Sequence, residues 1–172
     1  MVHALQGHTG EVNGCAISAD GRWVVSASDD KTVKIWNRES GEMVHSLQGH
    51  TNGVRGCAMS ADGKWVVSAS DDGTLKIWAR ETGETGETVR TLQGHGDLFS
   101  GCAVSADGRW IVSASSDKTL KVWEMQNGKC LCTLPLETPL YDVHFSSESP
   151  YFAVAGEAGV YFFELVQGNT ST

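Results

Sequence analysis

The chain has 172 residues, 40% of them apolar, which is enough for a buried core, and it carries 21 acidic against 13 basic side chains for a formal charge of −8. That balance, with a pI near 5.1 and no basic stripe, argues against nucleic acid as a partner, because phosphate-backbone binding needs clustered Lys and Arg to displace counterions. No stretch approaches the roughly 20 apolar residues of a membrane span, and the opening MVHALQGHTG has no positive flank followed by an apolar run, so a protein of the cytoplasm with no membrane partner is expected.

Residues 2–5 precede Gln6-Gly7-His8 and resemble two later stretches, 43–47 before Gly49-His50 and 89–92 before Gly94-His95. They therefore read as the last strand of a unit whose other strands lie elsewhere. The run GCAISADGRWVVSASDDKTVKIW from Gly14 to Trp36 returns as GCAMSADGKWVVSASDDGTLKIW from Gly56 and as GCAVSADGRWIVSASSDKTLKVW from Gly101. The first two copies agree at 19 of 23 positions, and the spacings of 42 and 45 residues fall where a four-stranded propeller blade is the usual repeating unit. In the first unit a strand over 12–18 ends at Ala19-Asp20-Gly21, where Asp-Gly supplies the positive backbone angles of a tight hairpin. A second strand over 23–28, a turn at Asp29-Asp30-Lys31, a third strand over 32–36, a polar turn over 37–42 and a fourth strand follow. The second strand reads Trp-Val-Val-Ser-Ala-Ser without strict alternation, the pattern of a strand covered on both faces.

In the second unit Thr-Gly-Glu occurs twice over 81–87, a polar lengthening of a surface loop that costs little and is read as a replication-type slip without a role. After Thr133 the pattern decays. Strands are expected over 140–146, 151–155 and 160–165, with Phe163 where the other units have Trp, and Pro135, Pro139 and Pro150 in connections or at strand starts. The count is about 16 strands, four blades' worth, over 1–172: blades at 7–47, 48–92, 93–133 and 134–166, the last completed by 2–5. Of the five cysteines, Cys15, Cys57 and Cys102 recur once per unit, too far apart to bridge, and read as small buried side chains in a reducing compartment. Cys130-Leu131-Cys132 would need outside ligands to hold a metal, and neither metal nor cofactor is expected.

Gly-His, then Ser-Ala-Ser-Asp-Asp-x-Thr, then apolar-Lys-apolar-Trp resembles the WD40 repeat, and the copies look most like the arrays found behind NTPase or other signalling modules in bacterial STAND-type proteins. Trp36, Trp78 and Trp123 are followed by Asn, Ala and Glu in place of the family's Asp, a variable position. The resemblance implies hydrogen-bonded tetrads of His8, Ser26, Asp30 and Trp36; of His50, Ser68, Asp72 and Trp78; and of His95, Ser113, Asp117 and Trp123. Ser28, on the same face as Ser26, is an equal candidate for the first set. A Ser, His and Asp together invite a hydrolase reading, but a catalytic triad is one asymmetric constellation beside an oxyanion site, whereas this set recurs three times under a Trp.

The expected fold is therefore an all-β propeller of four-stranded antiparallel WD40 blades, four per chain. The family's ring has about seven blades, so four blades alone would demand an unusually steep angle, and closure as an eight-bladed ring in a homodimer is expected. The expected function is a non-catalytic scaffold that binds a protein or peptide on its top face. The resemblance places Asn13, Arg55, Ser100 and Tyr141, with Asp29, Asp71, Ser116 and Glu157, around the central mouth. Three of those last four are acidic, which predicts a basic segment as partner. The alternative is the detached C-terminal sensor of a STAND-type NTPase system, the nucleotide chemistry lying on another polypeptide because no phosphate-binding Gly-rich Lys-Ser/Thr loop occurs here.

Overall fold

The computed structural model describes residues 3–80, 88–146 and 150–166. It is an all-β propeller of four antiparallel blades, and among the described residues it contains no helix long and apolar enough to cross a membrane. The first blade is β1 (Val12–Ile17), β2 (Trp23–Ser28), β3 (Thr32–Asn37) and β4 (Met43–Gln48). The second is β5 (Val54–Met59), β6 (Trp65–Ser70), β7 (Thr74–Ala79) and β8 (Thr88–Gln93), and the third β9 (Phe99–Val104), β10 (Trp110–Ser115), β11 (Thr119–Glu124) and β12 (Cys130–Pro135). The fourth has three strands among the described residues, β13 (Leu140–Phe145), β14 (Tyr151–Gly156) and β15 (Gly159–Glu164). The duplicated Thr-Gly-Glu lies outside the described residues.

Each blade is a meander paired in chain order, β1-β2-β3-β4 and its equivalents, and the innermost strands β1, β5, β9 and β13 pack side by side around a common depression of about 440 Å³. Glycine makes that approach possible. A Cβ on Gly56 would stand 3.3 Å from the Gly101 Cα, and one on Gly101 only 2.9 Å from the Asp142 Cα. Outward from these strands, successive blades bury two different faces. Trp23, Val25, Ala27, Val33 and Ile35 of blade 1 pack on Val54, Cys57, Val66 and Trp78 of blade 2, and the same alternation recurs between blades 2 and 3 and between blades 3 and 4. The second strands, β2, β6 and β10, thus supply side chains to both faces, which is why they lack polar alternation.

Three local expectations are corrected. The hairpin after β1 places only Gly21 at positive φ (68°); Asp20 serves through its carboxylate, which accepts from Ser18 Oγ at 2.6 Å and from the Arg22 backbone N–H at 2.9 Å. Pro135 ends β12 instead of lying in a connection, a position open to proline because β12 is the outer edge of its sheet. Residues 3–5 form no strand and add nothing to the fourth sheet, while Val2 lies outside the described residues. The segment leads directly into Gly7 and His8, which are anchored on blade 1, and blade 4 of the same chain lies three blades away around the arc.

Candidate functional site

Two sets of polar residues recur from blade to blade, one inside each blade and one at the inner edge. In the first, Ser26, Ser68 and Ser113 stand at the middle of β2, β6 and β10, opposite Lys34, Lys76 and Lys121 on the neighbouring strand. His8 Nε2 is 2.7 Å from Ser26 Oγ, its Nδ1 is 2.8 Å from Asp30 Oδ2, and Trp36 Nε1–H donates to Ser26 Oγ at 2.8 Å. His50, Ser68, Asp72 and Trp78 repeat this arrangement, with all three distances at 2.8 Å. In the third blade His95 Nδ1 lies 3.1 Å from Asp117 Oδ2 and 2.8 Å from Thr119 Oγ1, while Ser113 Oγ is 2.8 Å from His95 Nε2 and 2.9 Å from Trp123 Nε1. Ser28 is not the histidine's partner: its Oγ accepts the Asp30 backbone N–H at 3.1 Å.

One proton placement satisfies every member of such a set. An ionised carboxylate only accepts, so Nδ1 carries hydrogen; Nε2 then accepts the serine hydroxyl proton, and the serine oxygen accepts the indole N–H. Burial opposes ionisation of Asp30, Asp72 and Asp117, but bonds from Thr32, Thr74 and Thr119 and from backbone N–H groups outweigh it, holding all three below the ordinary carboxylate value and Asp117 at about 2. Burial also lowers His50 and His95, against the pull of Asp72 and Asp117, so both rings are neutral at pH 7. Ser68 and Ser113 are fully buried, and each hydroxyl is engaged on both sides. A nucleophile must reach its substrate, and these do not. The fourth blade replaces the set with aromatic rings, Phe163 stacked on Phe152 at 5.2 Å and Phe145 tilted on Phe152 at 5.2 Å.

The second set lies where the inner strands begin. In all four, the pairing skips one residue: Asn13 between Val12 and Gly14, Arg55 between Val54 and Gly56, Ser100 between Phe99 and Gly101, and Tyr141 between Leu140 and Asp142. These are β-bulges, and the unpaired residue's side chain is turned out of the ladder toward the mouth. Asn13, Arg55, Ser100 and Tyr141, with Asp71 and Ser116, line one depression of about 340 Å³ to which all four blades contribute. Arg55 organises it. Its Nε donates to Asp71 Oδ2 at 2.7 Å, a second guanidinium N–H donates to the same oxygen, and Nη1 donates to Asp29 Oδ1 at 3.0 Å. Asn13 Nδ2 also donates to Asp29 Oδ1, at 2.7 Å. The hydrogen bond to Asp71 raises the Arg55 pKa further, so the cation is permanent. Ser100 and Ser116 hydroxyls face each other at 3.4 Å, and Tyr141 is 53% exposed. Glu157 is exposed, its backbone N–H held by the Pro139 carbonyl, and it lies outside this depression. Sequence reasoning missed that Asp29 and Asp71 are tied by one arginine; the only signal was the lone Arg55 where the other units carry Asn, Ser and Tyr.

The WD domain, G-beta repeat family matches residues 1–37, 41–79 and 86–124. Vegetative incompatibility protein HET-E-1 of Podospora anserina is 57% identical over 37 residues, 22% of this chain and 3% of that protein. Small ribosomal subunit protein RACK1 of Schizosaccharomyces pombe is 47% identical over 38 residues, 22% of this chain and 12% of that one. Among solved structures, U3-55K superposes with a TM-score of 0.81 at 24% identity, over 95% of this chain and 55% of that one, and the RRP9 WD40 repeats give 0.81 at 24% over 93% and 53%. The chain thus spans about half of these propellers and a small part of the curated relatives. With three repeats matched along most of its length and the propeller of such repeats in its structure, the chain belongs to the WD40 family.

Proposed function

We propose that the chain is a non-catalytic scaffold that receives a protein or peptide segment at the mouth where the four bulged strands begin. The observation that carries this reading is the depression of about 340 Å³ shared by all four blades, lined by side chains that the bulges turn away from the sheets. Its chemistry is that of recognition: an exposed tyrosine, hydroxyls, an amide and a bridged pair of carboxylates. Tyr141 supplies a flat amphipathic surface at small entropic cost, and Asp29, 36% exposed at its side chain, supplies the acceptor for a cation. Asp71 is covered by Arg55, so the preference for a basic segment rests on Asp29, Glu157 and the charge of −8. The free thiols of all five cysteines support a reducing, cytoplasmic setting.

The test is binding of labelled peptides from a Lys/Arg-containing library, followed by fluorescence anisotropy at low and physiological salt. Asp29→Asn with Glu157→Gln should weaken the best binders about tenfold and flatten their salt dependence. Arg55→Ala, which frees both carboxylates, should strengthen them. Binding indifferent to all three substitutions overturns this mouth as the site.

A further inference from the structure

The two ends of the blade series are the two halves of one contact. Between blades 1 and 2, the face of Val25, Ala27, Val33 and Ile35 meets the face of Val54, Cys57 and Val66, and every one of these residues is at most 8% exposed. Blade 4 carries the first kind of face and no described residue covers it: in the positions of Val33 and Ile35 stand Val160 and Phe162, 61% and 81% exposed, with Tyr151 in the position of Trp23 at 53%. Blade 1 carries the second kind, also bare. Val12 is 55% exposed where Val54 is fully buried, Ile17 is 57% exposed, and Cys15 is exposed where Cys57 is buried. These are not scattered surface apolar residues; they occupy the interblade positions that are buried elsewhere in the chain and that no described residue covers here.

The stretch before blade 1 is already placed for that neighbour. His3-Ala4-Leu5-Gln6-Gly7-His8 matches His45-Ser46-Leu47-Gln48-Gly49-His50 at all but one position. Gly7 lies against Trp36 as Gly49 lies against Trp78, and His3 lies against the Gly41 turn as Arg90 of β8 lies against the Gly128 turn of the next blade. The segment therefore stands beside blade 1 where the outermost strand of a preceding blade would stand. Among the described residues the fourth blade is the one without an outermost strand. Along the open edge of β15 runs a groove of about 640 Å³, lined by Leu131, Cys132 and Leu134 of blade 3 and by Phe163, Leu165 and Val166. Leu134 is 37% exposed, whereas its equivalents Leu47 and Leu92 are 1% and 4% exposed.

We propose that a second copy of this chain closes the series: blade 4 of each copy seats on blade 1 of the other, and His3–Gln6 of each pairs as the fourth strand on β15 of the other. The occupant follows from continuity with the interface that the chain already forms three times within itself. Because the contact is head to tail, two copies related by a two-fold axis make it twice and leave no free face. Four blades overlay 55% and 53% of the two solved WD40 propellers, so one copy spans close to half a ring and two copies close if each interblade angle opens slightly. Strand donation at an open edge adds main-chain hydrogen bonds to the apolar contact.

Light scattering on the purified full chain should give twice the 18.4 kDa of one chain. Phe162→Asp and Ile17→Asp, both at exposed positions, should each keep the β-sheet circular dichroism and weaken association about a hundredfold. Val160→Lys replaces the first should it fail to fold. Mixing the two variants should restore a two-copy species more strongly than either alone, because one of the two contacts is then unaltered on both sides. A mass of one chain, a mass above two chains, or a pair that survives either substitution overturns the proposal. Association unchanged by deletion of residues 1–5 overturns the strand exchange.

Discussion

Ser68 Oγ is the point at which three side chains of one blade meet: it is 2.8 Å from both His50 Nε2 and Trp78 Nε1 and wholly buried. Ser68→Ala leaves an indole N–H and an imidazole nitrogen without partners away from water, and should destabilise the chain by about 2–3 kcal/mol in urea titrations. Trp78→Phe removes one of the same bonds, so the double substitution should cost less than the two singles added together. The histidines also set a pH dependence. His50 and His95 are lowered from 6.5 by burial, so the unfolded chain takes up their protons first, and stability falls as pH drops below about 6.5. Asp72 and Asp117 are lowered from 3.8, Asp117 to about 2, so their contribution is present above 3.8 and is lost as pH falls below it through their folded-state values. The urea midpoint should hold above pH 7, decline between 7 and 5, and decline again below 4. A midpoint that rises from pH 7.5 to 5.5 contradicts this account.

Strands and their order were legible because the chain spells them three times. Each copy pairs apolar and small residues at fixed offsets, and Ser-Ala-Ser in β2, β6 and β10 announces burial on both sides. The positions of the tetrad residues came with the repeat, but the choice of Ser26 over Ser28 is a matter of register: Ser26 lies level with Cys15 and Lys34, under the Trp36 indole, while Ser28 ends its strand at a turn. The bulges were not legible. A skipped residue has no signature of its own, and Asn13, Arg55, Ser100 and Tyr141 share no chemistry that would mark them. The spacing of the inner strands gives a prediction at this scale. Gly101→Ala would put a Cβ 2.9 Å from the Asp142 Cα and 2.8 Å from Asp142 Oδ1, so β9 and β13 must part. The substitution should cost about 1–3 kcal/mol and loosen amide-exchange protection in β13, the inner strand of the blade with no tetrad.

Taken as a whole, the molecule is quasi-one-dimensional: each blade packs on its neighbours, and a defect in one is felt mainly next door. What no reading of a single repeat supplies is the path of residues 3–8. Their sequence marks them as a strand, yet where they pair depends on how far the arc has turned by the time blade 4 is reached. Among the described residues the inner strands pack in the series β1, β5, β9 and β13, and the outer-facing apolar residues of blades 1 and 4 stay exposed. Two unlike end faces have a further consequence. A body whose front matches its own back has its copy number dictated by angle alone, so an added or deleted 42-residue unit would leave every contact as good as before and yet spoil the closing arithmetic. If the pair proposed above forms, gain or loss of a whole unit would turn a finite pair into an endless thread.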